Sequence, residues 1–217
     1  MTPQVRTVRI LAALFAICGI CRTTLGAICE GTDACLQVIE ASQRTTRTLS
    51  ARWVQTKHLS LLTEPLLTRG QFAFREPDQV LWRVDDPAIT VRIDRNGIHL
   101  PDLPGVKDEV AAMAPFSAMM RQLSGLFTGS LSSVRNTFEV SAALEKGAIR
   151  VHLMPREQQW QRMFRSIDVS FAEPQWVVAT IHIEEALGDS LDITFTDVHR
   201  NDAIANAALD TVPAPHE

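Results

Sequence analysis

Leu49-Ser50-Ala51-Arg52-Trp53-Val54 and, further on, Gly70-Gln71-Phe72-Ala73-Phe74 are the stretches that decide the fold. In the first, Leu49, Ala51 and Trp53 alternate with Ser50, Arg52 and Val54; in the second, Gly70, Phe72 and Phe74 share one face. A period of two is that of a strand with one buried face. Working outward, β-type runs follow at 79–84 and 89–93, separated by Glu76-Pro77-Asp78, Asp85-Asp86-Pro87 and, later, Arg95-Asn96-Gly97. Connections this short join neighbouring strands as hairpins, so the sheet is antiparallel.

The second half repeats the pattern. Ile149, Val151 and Leu153 alternate with Arg150 and His152; Ile167, Val169 and Phe171 with Asp168 and Ser170; Ile181 and Ile183 with Thr180 and His182. Leu191, Ile193 and Phe195 complete the series, with turns at Lys146-Gly147, Glu173-Pro174 and Asp189. About eight to ten strands, each with one apolar and one polar face, describe a strongly curved sheet whose concave side is covered.

Two helices are expected. Asp33 is placed to cap one running to about Thr46, with Leu36, Ile39 and Gln43 on successive turns. Within 106–127, Pro115 can open another, and Phe116, Met119, Met120, Leu123 and Phe127 fall at offsets 0, 3, 4, 7 and 11, a single apolar stripe. That stripe reads either as plain core or as a movable lid whose soft side chains adapt to a lipid tail.

The start of the chain reads as an export signal over residues 1–27: Arg6 and Arg9, an apolar run from Ile10 to Cys21, and a small-residue site at Leu25-Gly26-Ala27. The run is 12 residues, against the roughly 20 that a spanning helix needs, so cleavage is favoured over anchoring. Ile17, Ile20 and Ile28 precede the cysteines at 18, 21 and 29, which disfavours lipid attachment. Cleavage leaves Cys29 and Cys35 as the only thiols in an oxidising compartment, where they are expected to pair. No neighbouring Cys or His completes a zinc pattern with them.

The 217 residues, 46% hydrophobic and 21% charged, fit one globular core and exclude a disordered or collagen-like chain. The 21 basic and 25 acidic residues offer no general attraction for phosphate backbones, so nucleic acid is not an expected partner. Loss of Arg6, Arg9 and Arg22 with the signal leaves 18 basic against 25 acidic residues, or −7. The expected layout is a signal at 1–27, one domain at 28–200 and a frayed tail at 201–217.

Catalytic chemistry has no visible constellation. The histidines at 58, 99, 152, 182, 199 and 216 are scattered singly, and His152 and His182 occupy solvent-facing strand positions. Asp85-Asp86 and Glu184-Glu185 read as turn and edge charges. There is no phosphate-cradling glycine loop, nucleophile elbow or histidine pair at helical spacing. No cofactor, metal or catalytic residue is expected.

The segment Ala51-Arg52-Trp53-Val54-Gln55-Thr56-Lys57, the Gly70-led strand through Arg75-Glu76-Pro77-Asp78, and Trp82 resemble the start of LolA-type periplasmic lipoprotein carriers. Asn96-Gly97 at the next hairpin, Ala114-Pro115-Phe116 opening the second helix, and a strand from Arg150 to Pro155 continue the likeness, which covers nearly all of 33–200. The resemblance implies an incompletely closed antiparallel β-barrel with a helical lid over a hydrophobic cavity. It further implies a periplasmic, monomeric, non-enzymatic carrier of lipoprotein acyl chains or another acylated or polyene lipid, working between an inner-membrane donor and an outer-membrane acceptor.

On that reading the cavity is lined by Trp53, Phe72, Phe74, Trp82, Val91 and Ile93 from the sheet, and by Phe116, Met119, Met120, Leu123 and Phe127 from the lid. Three departures stand out. Glu76 occupies the place before the turn proline where the carriers keep a basic residue, nothing strand-like follows Val198, and Cys29 and Cys35 have no family counterpart. A lipid-sensing regulator and an enzyme acting on a lipid precursor are the alternatives. Sensors of this type usually carry a second domain, for which about 190 mature residues leave no room.

Overall fold

The computed structural model describes residues 29–94, 97–99, 131–203 and 205. The signal at 1–27 and the stripe Phe116, Met119, Met120, Leu123 and Phe127 lie outside the described residues. In chain order the elements are α1 (Thr32–Gln43), β1 (Thr48–His58), β2 (Leu66–Arg75), β3 (Gln79–Val84), β4 (Ile89–Asp94), β5 (Gly97–His99), α2 (Leu131–Thr137), β6 (Phe138–Glu145), β7 (Ala148–Pro155), α3 (Gln158–Gln161), β8 (Phe164–Ala172), β9 (Val177–Glu185) and β10 (Ser190–Arg200).

All ten strands form one antiparallel sheet in the order β5-β4-β3-β2-β1-β10-β9-β8-β7-β6. Two five-stranded meanders therefore meet where the first strand pairs with the last, Trp53 opposite Phe195. Among the described residues β5 and β6 are the two edges, so the sheet is an open barrel, as the family resemblance implied, and strongly curved, as the alternation implied. The β6–β7 turn shows why its sequence is a turn: Lys146 and Gly147 both have positive φ, 49° and 80°, which matches the twist of a two-residue hairpin.

The inner face is a continuous apolar layer. Ile149, Val151, Leu153, Ile167, Val169, Phe171, Ile181, Ile183 and Ile193 are buried on β7–β10. Burying each such side chain contributes about 1.5–3 kcal/mol relative to leaving it in water. α1 packs on β6 and β9 over this half, sending Cys35, Leu36, Ile39 and Gln43 inward.

Several local expectations are corrected. Asp33 does not cap α1: Gly31, at φ 82°, holds the N-cap position without a side-chain cap, and Asp33 in the first turn pairs with Arg135 of α2. α1 ends at Gln43, whose side-chain amide donates to the Trp176 carbonyl at 2.9 Å, while the Thr45 hydroxyl turns back to the Ser42 carbonyl. The outer face is neither purely polar nor fully solvated, since apolar Ala73 and Leu81 lie buried on it beside a buried Ser50.

The disulfide between Cys29 and Cys35 is present and ties the segment before α1 to its first turns. At the other end of the domain, Asn201 takes φ 57°, a conformation its short amide tolerates. Its Oδ1 accepts from the backbone N–H groups of Arg47 and Thr48, and its Nδ2 donates to the Thr45 carbonyl. Ala205 is fully buried, so ordered structure continues past residue 200.

Candidate functional site

The other half of the inner face, on β1–β4 and β10, is where the sequence reading placed the lining residues. Trp53, Phe72, Phe74, Trp82, Val91 and Ile93 are all there and all buried. Trp53 and Trp82 stack with centroids 4.6 Å apart and planes at 23°. Phe72 meets Trp82 edge-on at 6.1 Å.

Phe195 completes the group, edge-on to Phe72 at 6.0 Å and to Trp82 at 6.2 Å. Sequence reading recognised Phe195 as a strand residue and missed its place in this cluster. Its inward phase was readable from Leu191 and Ile193, but the pairing with Trp53 joins positions far apart in the chain.

Gly70 makes the stack possible. It lies between Trp53 of β1 and Val84 of β3 in the pairing. A Cβ there would come within 2.5 Å of Trp53 Cζ2, 2.8 Å of Trp53 Cε2 and 1.8 Å of the Arg83 carbonyl oxygen. The bare backbone lets the indole cross β2 and reach Trp82.

Beyond this floor, the inner row of β2 continues toward the β1–β2 connection through Thr68 and Leu66, which are progressively more open. Lys57, opposite Leu66, pairs with Glu185 at 3.0 Å. Glu185 is thus an ion-pair partner at the inner rim. At the same end the Ser60 backbone N–H donates to Asp189 at 2.7 Å, joining the β1–β2 connection to the β9–β10 turn. That bond and the Ser60 hydroxyl hold the Asp189 carboxyl below its ordinary range, outweighing desolvation, with a lesser contribution from the nearby Lys57 charge. Leu61 and Leu62 of the connection, Leu66 and Leu67 at the start of β2 and Leu187 of the turn are exposed apolar side chains, Leu61 at 95% and Leu187 at 90% exposure.

The outer face carries a ladder that single-strand patterns do not reveal. His152 pairs with Asp168 at 2.9 Å and His182 with Asp192 at 2.7 Å, with His58 3.9 Å from Asp192. Register sets His152, Asp168, His182 and Asp192 opposite one another on four adjacent strands. These half-exposed pairs contribute little individually. Among the described residues no group of three or more His, Cys, Asp or Glu is arranged to hold a metal ion. Nor is any described helix long and apolar enough to cross a membrane.

The family model described as outer membrane lipoprotein carrier protein LolA matches residues 44–210. The chain belongs to the LolA family. Among solved structures, MucB is similar with a TM-score of 0.54 and 13% identity over 84% of this chain and 63% of MucB. A LolA superfamily protein from Nitrosomonas europaea gives 0.41 and 7% identity over 80% of this chain and 95% of its own. A lipoprotein-sorting protein domain from Vibrio parahaemolyticus gives 0.37 and 9% over 79% and 93%. No curated protein sequence matches this one. The MucB likeness agrees with the open barrel.

Proposed function

We propose that this LolA-family chain is a non-enzymatic periplasmic carrier or binder of lipid-like cargo, moved from an inner-membrane donor to an outer-membrane acceptor. The observation that carries the reading is the aromatic floor: Trp53, Phe72, Trp82 and Phe195 gathered on one apolar face with Phe74, Val91 and Ile93. Such a face suits an acyl chain, each buried CH₂ of which is worth about 0.8 kcal/mol before association costs are subtracted. On sequence grounds, Phe116, Met119, Met120, Leu123 and Phe127 supply the opposing apolar surface. The His and Asp pairs lie on the opposite face of the sheet, away from the floor.

The protein acts as a monomer without cofactor, and its transfer runs down a gradient of affinity. The exposed leucines of the β1–β2 connection and the β9–β10 turn supply an apolar surface for a membrane-bound partner. Glu76 is exposed at the end of β2, its backbone N–H donating to the Arg47 carbonyl at 2.7 Å. With an acid where the general carriers keep a base, this chain is a specialised paralogue with its own cargo.

Titration of the mature protein with a fluorescent fatty-acid probe tests the reading. Micromolar-class binding is expected, and it is abolished in a folded Leu123→Glu variant. Absence of probe binding by the unaltered protein would overturn the proposal.

A further inference from the structure

The floor of the proposed site contains a polar atom with nothing to bind. Among the described residues, two buried side-chain polar atoms lack a hydrogen-bond partner: Thr48 Oγ1, at the start of β1, and Trp53 Nε1. Trp53 is 1% exposed. An indole N–H donates only, and a buried donor without an acceptor is costly, whereas phenylalanine would fill an apolar floor without that cost.

The position of this donor is informative. Cε2, the ring carbon bonded to Nε1, lies against Gly70. The N–H edge of the ring is therefore over β2, between the sealed part of the inner row at Phe72 and Phe74 and its more open part at Thr68 and Leu66. Hydrocarbon lies on one side of the donor, and on the other the row leads to the Lys57–Glu185 pair and the exposed end of the sheet.

An ester- or amide-linked acyl chain has the matching order of groups: a long apolar stretch, one strong acceptor at its carbonyl, then a polar head. We propose that Trp53 Nε1 is the docking donor for the carbonyl oxygen of such a chain. Its hydrocarbon lies on Phe72, Phe74 and Trp82, and its head leaves past Thr68 toward Leu66 and Lys57. The inference rests on the lipid-cargo reading above and narrows it, because a polyene hydrocarbon lacks the acceptor. The donor fixes how far a chain enters as well as which chains are preferred.

The test uses the mature chain and two uncharged probes of equal length, methyl palmitate and hexadecyl methyl ether, each displacing 1-N-phenylnaphthylamine. The ester should bind about five- to tenfold more tightly than the ether, the range expected of one hydrogen bond. Trp53→Phe should bind both with the ether's affinity. In the unaltered protein, the Trp53 indole N–H resonance should move downfield with the ester and not with the ether, which gives a readout independent of whether the variant folds. Equal binding of the two probes, or an ester preference that survives in Trp53→Phe, overturns the inference and leaves the carrier reading standing. Failure of both probes to bind overturns the two together.

Discussion

The indole of Trp53 lies across Gly70, so close that a single added carbon at position 70 would be 2.5 Å from its Cζ2. This one close approach joins three strands, since the ring rises from β1, crosses β2 and stacks on Trp82 of β3.

Gly70→Ala should therefore be among the most damaging small substitutions in the chain. The new methyl meets both an inflexible ring and the Arg83 backbone carbonyl, so the strands must separate at a cost of about 2–4 kcal/mol. Urea denaturation of the variant should show a midpoint lowered accordingly. An unchanged midpoint would mean that β2 can shift freely beneath Trp53.

Asp189 gives the β1–β2 connection a defined acid limit. Its carboxyl is held below the ordinary value of 3.8 by the Ser60 backbone N–H. A lowered folded-state value means that the contribution is complete above the unfolded value and is lost as pH falls through the folded one. The link between the two hairpins thus persists at neutral and mildly acidic pH. The Ser60 amide resonance should titrate with a midpoint below 3.8, and this titration should vanish in Asp189→Asn. A midpoint at or above that value would contradict the assignment.

Cys29 and Cys35 close a short loop over the start of α1. Chain-entropy reasoning gives such a loop about 2 kcal/mol. Thiol titration of the denatured, unreduced mature protein should find no free thiol, and a Cys29→Ser/Cys35→Ser variant should lose about that much stability in urea. Two free thiols would contradict both the bond and the oxidising compartment.

Glu76 makes a cellular prediction. On the proposed reading, an acid in place of the carriers' base gives this chain a cargo of its own. Expression of this chain in a host depleted of its general lipoprotein carrier should fail to restore growth. Restored growth with correct outer-membrane lipoprotein localisation would show that Glu76 is harmless and that the cargo is ordinary lipoprotein.

The fold was legible wherever one side of a strand was buried and the other wet. Leu153, Ile167 and Ile183 announced their strands through local alternation, and Lys146-Gly147 announced a turn through its backbone chemistry. Where burial is not one-sided the signal faded: Leu66 and Leu67 extend β2 beyond its alternating part as exposed side chains, and α3 buries none of its residues. The inward phase of Trp53, Phe72 and Phe74 was readable from the same alternation, whereas Trp82, Val91 and Ile93 came with the family resemblance. Phe195 and the His–Asp ladder did not, because register between strands is set by pairing partners distant in sequence. The N-terminus of α1 was misplaced for a local reason, since Asp33 resembles a cap while Gly31 supplies the positive φ that turns the chain into the helix.

Native mass spectrometry of the protein purified from the periplasm of its own host, without detergent, tests the carrier reading most directly. Bound cargo should appear as an adduct with the mass of an acylated molecule, released on collisional activation and diminished in Trp53→Phe. A single apo mass under conditions in which the host's general lipoprotein carrier retains its own cargo would contradict it.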